Sequence, residues 1–407
     1  MTEDKRLLSV TVAGFDQPGL LASLTEILVK HKVDIVDAKQ ASLDRLLGLY
    51  LLLDLNHART SDEEVIKDLL YQGQQLDLNL SFQPHPETDV KETSPSNLFV
   101  VTHFGGTGFL ADLARILAEE EVNIENMATV SHHGTRSTEM IINVSKAPKL
   151  TRLKGRIMAK SRENNTDLAF QRVQAYRKNK RLIFFDMDST LVDMEIIDEM
   201  ARRAHAHRAV ARITEKAMRG EFDFEESLIQ RVALLKGLSV DALAEIRDNL
   251  ELSQGVEDLA QALKWLGYKT GIVTGGFDFF ADHLRERLGF DYAYSNSLDI
   301  ENGMLSGRVT GKIVDAAEKA RLVNQTACDL GILLDQTVVV GDGANDALML
   351  GQAGLAIAYN AKKALDRVAN VSLSKTRLAH ILHLLGITEE DLREATQCKT
   401  ISSVSVL

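Results

Sequence analysis

The stretch Arg181–Val192, RLIFFDMDSTLV, decides the fold. Leu182 to Phe185 is a continuous apolar run without polar alternation, which marks a strand covered on both faces in a parallel sheet. Asp186 and Asp188 follow at once, so two carboxylates sit just beyond a strand end, where open α/β sheets bind ligands. The same residues would also serve an acidic turn in which Ser189 or Thr190 caps the next helix. Other stretches decide between the two.

Downstream of Val192, Asp193 to Gly237 has helical spacing, interrupted at Gly220 to Phe224, and reads as a helical cap over a strand-end site. Leu250 to Leu266 returns by helix. Tyr268 to Val273 is a second buried strand ending Thr274-Gly275-Gly276, where glycines admit an anion to backbone amides and the Thr274 hydroxyl adds a donor. Tyr292 to Gly311 is a hairpin about Glu301-Asn302-Gly303. Lys319 lies in a mixed-charge helix, DAAEKARLV, and on its own reads as part of a solvated face. Thr337 to Val340 is a third buried strand, ending Gly341-Asp342-Gly343-Ala344-Asn345-Asp346. Carboxylates crowded among glycines are costly unless a cation gathers them.

Three strands thus deliver Asp186/Asp188, Thr274 and Asp342/Asp346 to one sheet edge, with Lys319 available from a helix. Phosphoryl transfer to a carboxylate uses this set: Asp186 attacks phosphorus, and Mg²⁺ on hard oxygens screens the two anions. Asp188 moves the protons, while Lys319 and the Thr274/Gly275 donors steady the phosphate oxygens.

The N-terminal half reads differently. Leu7–Ala13 alternates, breaks at Gly14-Phe15-Asp16-Gln17-Pro18-Gly19, and gives way to Leu20, Leu21, Leu24, Ile27 and Leu28 at helical spacing. With strands at Val33–Ile35, Leu46–Leu55 and Leu76–Phe82 and a helix over Asp62–Leu70, the order is β-α-β-β-α-β. Shifted by 89 positions, Val12, Phe15, Gly19, Leu24, Leu28 and Val33 fall on Val101, Phe104, Gly108, Leu113, Leu117 and Val122, so the domain is duplicated. A polar linker, Gln83 to Ser96, holds three of the five prolines. Leu168–Lys180 reads as a basic-ended amphipathic helix bridging to Arg181.

Composition narrows the class. At 407 residues, two or three domains are expected, and a net charge of -11 argues against a nucleic-acid partner. No apolar run suits a membrane span, and Met1–Arg6 is unlike a signal peptide, so a cytoplasmic location is expected. Cys328 and Cys398 read as buried or inert thiols rather than a disulfide.

The DQPGLL turn entering a helix within this repeat resembles the ACT domain, a module that commonly senses amino acids and pairs with its own kind. Two α+β ferredoxin-like ACT domains are expected, over 1–85 and 96–170, with Asp16, Gly19 and Gly108 toward an amino-acid effector. In the second copy Gly105-Gly106-Thr107-Gly108 replaces Asp16-Gln17-Pro18-Gly19, so the copies need not bind the same thing. Exposed edges of such sheets offer a route to a homodimer or higher homo-oligomer.

The four-part spacing DxDST, TGG, K, GDGxND resembles the haloacid-dehalogenase-like (HAD-like) hydrolases. Within them, DMDSTLVDMEIIDEMA, ITEKAMRGEFDFEESLIQRVALLKGL and VVVGDGANDALML are similar to the phosphoserine phosphatases. The resemblance implies a doubly wound, mostly parallel α/β domain over 180–395 with its cap at about 193–250. It implies Asp186 as nucleophile and Asp188 as acid/base, with Mg²⁺ on Asp186, the Asp188 carbonyl and Asp342, supported by Asp346 and Asn345. Thr274, Gly275 and Lys319 would bind phosphate, while Glu195 and Arg231, beside Met218, Phe224 and Gly276, would hold the ammonium and carboxylate of O-phospho-L-serine. Thr274 stands where these phosphatases usually have serine. The implied reaction is the last step of L-serine biosynthesis, with serine or a related amino acid sensed by the ACT-like pair.

Three other readings compete. Phosphatase action on another small phosphate, or transfer to an acceptor such as homoserine, would use the same motifs. An amino-acid sensor with an idle catalytic domain conflicts with the complete set Asp186, Asp188, Lys319 and Asp342. A P-type ion pump would need membrane spans.

Overall fold

The computed structural model describes residues 6–85, 97–132, 135–147, 149–361, 365, 367–373, 378–387 and 390–393. The chain forms two compact units, Met1–Glu92 and Thr93–Leu407. Most of the expected linker, 86–96, lies outside the described residues, as does the tail beyond 393 with Cys398.

The first unit runs β1 (Leu7–Phe15), α1 (Leu20–His31), β2 (Asp34–Leu43), β3 (Leu46–Asp54), α2 (Asp62–Gln75) and β4 (Asn79–His85). Its antiparallel sheet has the order β2-β3-β1-β4. Alternation along β3 buries Leu47, Leu49, Leu51 and Leu53, and Leu24, Leu28, Val65 and Leu69 of the helices pack in the same core. Each such side chain contributes roughly 1.5–3 kcal/mol on burial. Gln83-Pro84-His85, expected in the linker, instead continue β4 beside β1.

The second unit begins with the repeat: β5 (Leu98–His103), α3 (Thr107–Glu119), β6 (Asn123–His132), β7 (Thr135–Asn143), α4 (Leu150–Glu163) and β8 (Leu168–Arg172). It continues with β9 (Leu182–Phe185), α5 (Ile196–Arg203), α6 (His207–Met218), α7 (Phe224–Ala233), α8 (Val240–Asp248), α9 (Val256–Trp265), β10 (Lys269–Phe277), α10 (Asp278–Leu288), β11 (Tyr292–Glu301) and β12 (Met304–Thr310). The remainder is α11 (Ala316–Asp329), β13 (Thr337–Gly341), α12 (Ala347–Gln352), β14 (Leu355–Tyr359), β15 (Val371–Leu373) and α13 (Ile381–Leu384).

These strands form one sheet in the order β12-β11-β10-β9-β13-β14-β15-β8-β5-β7-β6. The expected helix over 168–180 is therefore corrected: Leu168–Arg172 is a strand, antiparallel to both β5 and β15. Buried Leu168, Ala169 and Phe170 pack between the repeat and the catalytic sheet, and as a strand the segment pairs the facing edges of β5 and β15, which a helix would leave without partners. The second repeat is thus continuous with the catalytic sheet.

At its centre, β9 is fully buried, with Leu182 and Phe184 in one hydrophobic layer and Ile183 and Phe185 in the other. Parallel pairing sets Phe185 opposite Ile272 of β10 and Val340 of β13. That register brings Asp186, Thr274 and Asp342 to one edge within two residues of aligned positions.

Candidate active site

Asp186 leaves β9 with its backbone N–H donated to the Val340 carbonyl at 2.9 Å, which holds it between β10 and β13. Lys319, on α11, is 1% exposed. Its Nζ donates at 2.8 Å to Asp186 Oδ1 and at 2.8 Å to Asp346 Oδ1. A solvated face was the reading from local sequence alone; the structure corrects it, because these two carboxylates compensate the burial of the ammonium. Burial alone would lower its pKa, but the charges of Asp186 and then Asp346 raise it.

Asp346 is fully buried, and its Oδ2 accepts from the backbone N–H groups of Asp342 and Gly343, each at 3.1 Å. A Cβ on Gly341 would lie 2.4 Å from that oxygen, so glycine is required there. Burial, then the charge of Asp186, pushes the Asp342 carboxyl up to about 7, and the same causes raise that of Asp346. Acidic oxygens of Asp186, Asp342 and Asp346 all lie within 4.8 Å of one another. An all-oxygen donor set held at this density fits a hard divalent cation.

Asp188 takes a different position. Its Oδ1 accepts from Ile196 N at 2.9 Å, the first N–H of α5, so the carboxylate is tied to the cap. Desolvation, then the charges of Glu195 and Asp186, hold its carboxyl well above the usual range. Ser189, in the left-handed region at φ 56°, donates from Oγ to Glu195 Oε1 at 3.1 Å.

One cavity of about 310 Å³ gathers most of the expected residues, although Lys319 and Asp346 are not in its lining. Its floor is Asp186, Asp188, Thr274, Gly275, Gly276, Asp342 and Asn345, and its roof includes Glu195, Phe224 and Arg231. β10 runs on through Thr274-Gly275-Gly276 to Phe277, with a register break against β11 between Val273 and Phe277. Thr274 Oγ1 accepts from Gly276 N at 2.9 Å, leaving the hydroxyl proton to donate. A Cβ on Gly276 would meet Asp188 Oδ2 at 2.9 Å. Arg231 is half-buried, which lowers its pKa, while the charges of Glu195, Asp198 and Asp188 oppose that shift. Met218 closes α6, but its side chain lies outside the described residues.

Sequence reasoning missed Ile196, Ile197, Leu228 and Phe277 in the cavity wall. Leu228 was findable, since Phe224, Leu228 and Arg231 stand at i, i+4 and i+7 on α7.

In the first unit, Asp16, Gln17, Pro18 and Gly19 line a separate cavity of about 520 Å³ with Gln40, Asp44 and Arg45. Asp16 Oδ2 accepts from Ser42 Oγ at 3.0 Å, and Gly19, at φ 95°, caps α1. Gly108 is not its counterpart. It lies inside the first turn of α3, which Gly106 caps in an extended conformation. Cys328 is exposed on α11, so of the two expected readings, buried or inert, burial is excluded.

A family model for haloacid dehalogenase-like hydrolases matches residues 180–354, and one for the ACT domain matches residues 6–83. Phosphoserine phosphatase SerB2 of Mycobacterium tuberculosis is 36% identical over 387 residues, 95% of this chain and 94% of that protein. The Archaeoglobus fulgidus phosphoserine phosphatase is 50% identical over 224 residues, 55% of this chain and 65% of that protein. The crystal structure of a probable phosphoserine phosphatase from Vibrio cholerae, unliganded, has a TM-score of 0.57 and 31% identity, covering 77% of this chain and 93% of that one. The fold and site define a HAD-like hydrolase with an ACT domain. The chain belongs to the phosphoserine phosphatase family.

Proposed function

We propose that this chain hydrolyses O-phospho-L-serine to L-serine and phosphate, the last step of L-serine biosynthesis, in the cytoplasm. One observation carries the reading: Glu195 and Arg231 share a cavity with Asp186 and Asp188. A carboxylate and a guanidinium complement the two charges of an amino-acid zwitterion, and the aspartates supply the chemistry at its phosphate.

In this mechanism Asp186 attacks phosphorus through Oδ2, since Lys319 engages Oδ1. A bond forms between that oxygen and phosphorus as the serine oxygen departs with the bond pair. Asp188, whose proton affinity is raised by burial and then by the charges of Glu195 and Asp186, gives the departing alkoxide its proton. Asp188 then takes a proton from water as the water oxygen attacks phosphorus, releasing phosphate and restoring Asp186. Thr274 and Gly275, with Lys319, hold the phosphate oxygens, and Asn345 lines the same floor. Mg²⁺ would be held by Asp186, Asp342 and Asp346 with the Asp188 carbonyl, and when bound it supplies charge screening between nucleophile and phosphate.

The cavity at Asp16 and Gly19 supports an amino-acid effector site in the first ACT domain. Edge strand β2, with Ile35, Val36 and Leu43 exposed, supports homo-oligomer formation through such domains. Among the described residues no helix is long and apolar enough to cross a membrane.

The test is a panel of phosphorylated metabolites assayed for phosphate release with Mg²⁺. O-phospho-L-serine should give the highest kcat/KM, EDTA should silence the reaction, and added Mg²⁺ should restore it. A better substrate without an amino-acid zwitterion would overturn the reading.

A further inference from the structure

Asn296, on β11, is fully buried and lines no part of the catalytic cavity. Its amide nevertheless joins two segments of the site. Nδ2 donates to the Gly275 carbonyl at 2.8 Å, and Oδ1 accepts from Val314 N at 2.8 Å. The first bond has a specific cause. Register between β10 and β11 breaks between Val273 and Phe277, so the ladder does not serve Gly275, and the Asn296 side chain supplies the missing donor. The second bond anchors the approach to α11. Val314 precedes the Asp315 cap of that helix, whose first turn carries Lys319, and Lys319 N donates to the Asp315 carbonyl at 2.8 Å.

We propose that Asn296 is a positioning residue that sets the spacing between the Thr274 and Gly275 donors and Lys319, and thereby tunes affinity for the phosphate group. With the Gly275 carbonyl turned to Asn296 and the Gly276 N–H engaged by Thr274 Oγ1, the Thr274 hydroxyl proton and the Gly275 N–H are left to face the anion. Only a carboxamide fits this role, because one bond requires a donor and the other an acceptor from the same planar group. Aspartate has the same shape but sets an acceptor against the Gly275 carbonyl.

This inference rests on the phosphate-binding part of the proposed function and not on the identity of the alcohol. It is tested on the full chain with inorganic orthophosphate in the presence of Mg²⁺, so its failure is distinguishable from failure of the phosphoserine reading. Asn296→Asp should weaken orthophosphate binding about tenfold or more by calorimetry while Mg²⁺ affinity, read without phosphate, stays within about twofold. Asn296→Ser, which keeps a small donor, should fall between the variant and the parent. Unchanged phosphate affinity in a folded Asn296→Asp protein overturns the proposal. So does a parallel loss of phosphate and Mg²⁺ affinity, or collapse of the fold in both variants, since either outcome makes Asn296 a general structural residue.

Discussion

Lys319 Nζ and Asp186 Oδ1 are 2.8 Å apart in a pair that is almost wholly removed from solvent. Two elements far apart in sequence are held together by that contact, and Asp346 shares the same ammonium. Lys319→Met would leave buried carboxylates without their cation, and breaking such a pair costs about 3–5 kcal/mol. The melting temperature in EDTA should fall by several degrees and recover largely with Mg²⁺, while kcat drops by about a thousandfold. A variant melting like its parent in EDTA would contradict this electrostatic account.

Gly276 has no space for a methyl group, whose nearest neighbours would be Met187 Cε at 2.6 Å and Asp188 Oδ2 at 2.9 Å. Gly276→Ala should therefore displace Asp188 from its bond to Ile196 and lower kcat by about a hundredfold or more. Substrate binding should change much less. A fall in affinity with kcat preserved would show that position 276 contacts substrate without positioning the acid.

Selectivity should reside in the roof. Arg231→Met should cost O-phospho-L-serine about 2–4 kcal/mol in kcat/KM, read as a loss of roughly thirty- to a thousandfold. Hydrolysis of p-nitrophenyl phosphate, which has no zwitterion, should change less than about threefold. Equal losses on both substrates would remove Arg231 from recognition of the amino acid.

Lys180 gives a pH dependence of stability. It is buried with its ammonium donated to the Asp335 carbonyl, and burial lowers its pKa to about 8 from 10.5. Between those values the unfolded chain keeps a proton that the folded chain has released, so stability rises with pH across that window. Below pH 8 the charged form burdens the fold. Lys180→Met should be more stable than its parent at pH 7, by an amount on the order of 2 kcal/mol, with the difference shrinking by pH 10. A gap independent of pH would contradict the shift.

How much of this was readable in the chain depended on whether the deciding interaction was local. The strand Leu182–Phe185 was legible because burial on both faces leaves an unbroken apolar run. Phe224 and Arg231 in the cavity roof were legible only through the family resemblance of the cap stretch, since alone each reads as an ordinary residue of a cap helix. By contrast, Leu168–Arg172 has helical periodicity, and only pairing with Val371 and Phe99, distant in sequence, makes it a strand. Lys319 reads as surface for the same reason, since its partners lie 133 and 27 positions away. Asn296 gave no local signal, because its role exists only where the β10 register breaks beside it.

The central claim is that Asp186 carries the phosphoryl group between the two half-reactions. Full-length protein turning over O-phospho-L-serine with Mg²⁺ is quenched, reduced with borohydride, digested and mapped by mass spectrometry. The account predicts reduction of the acyl phosphate at position 186 alone, absent in Asp186→Asn. Reduction or phosphorus at any other side chain, or turnover by Asp186→Asn at the parent rate, would contradict it.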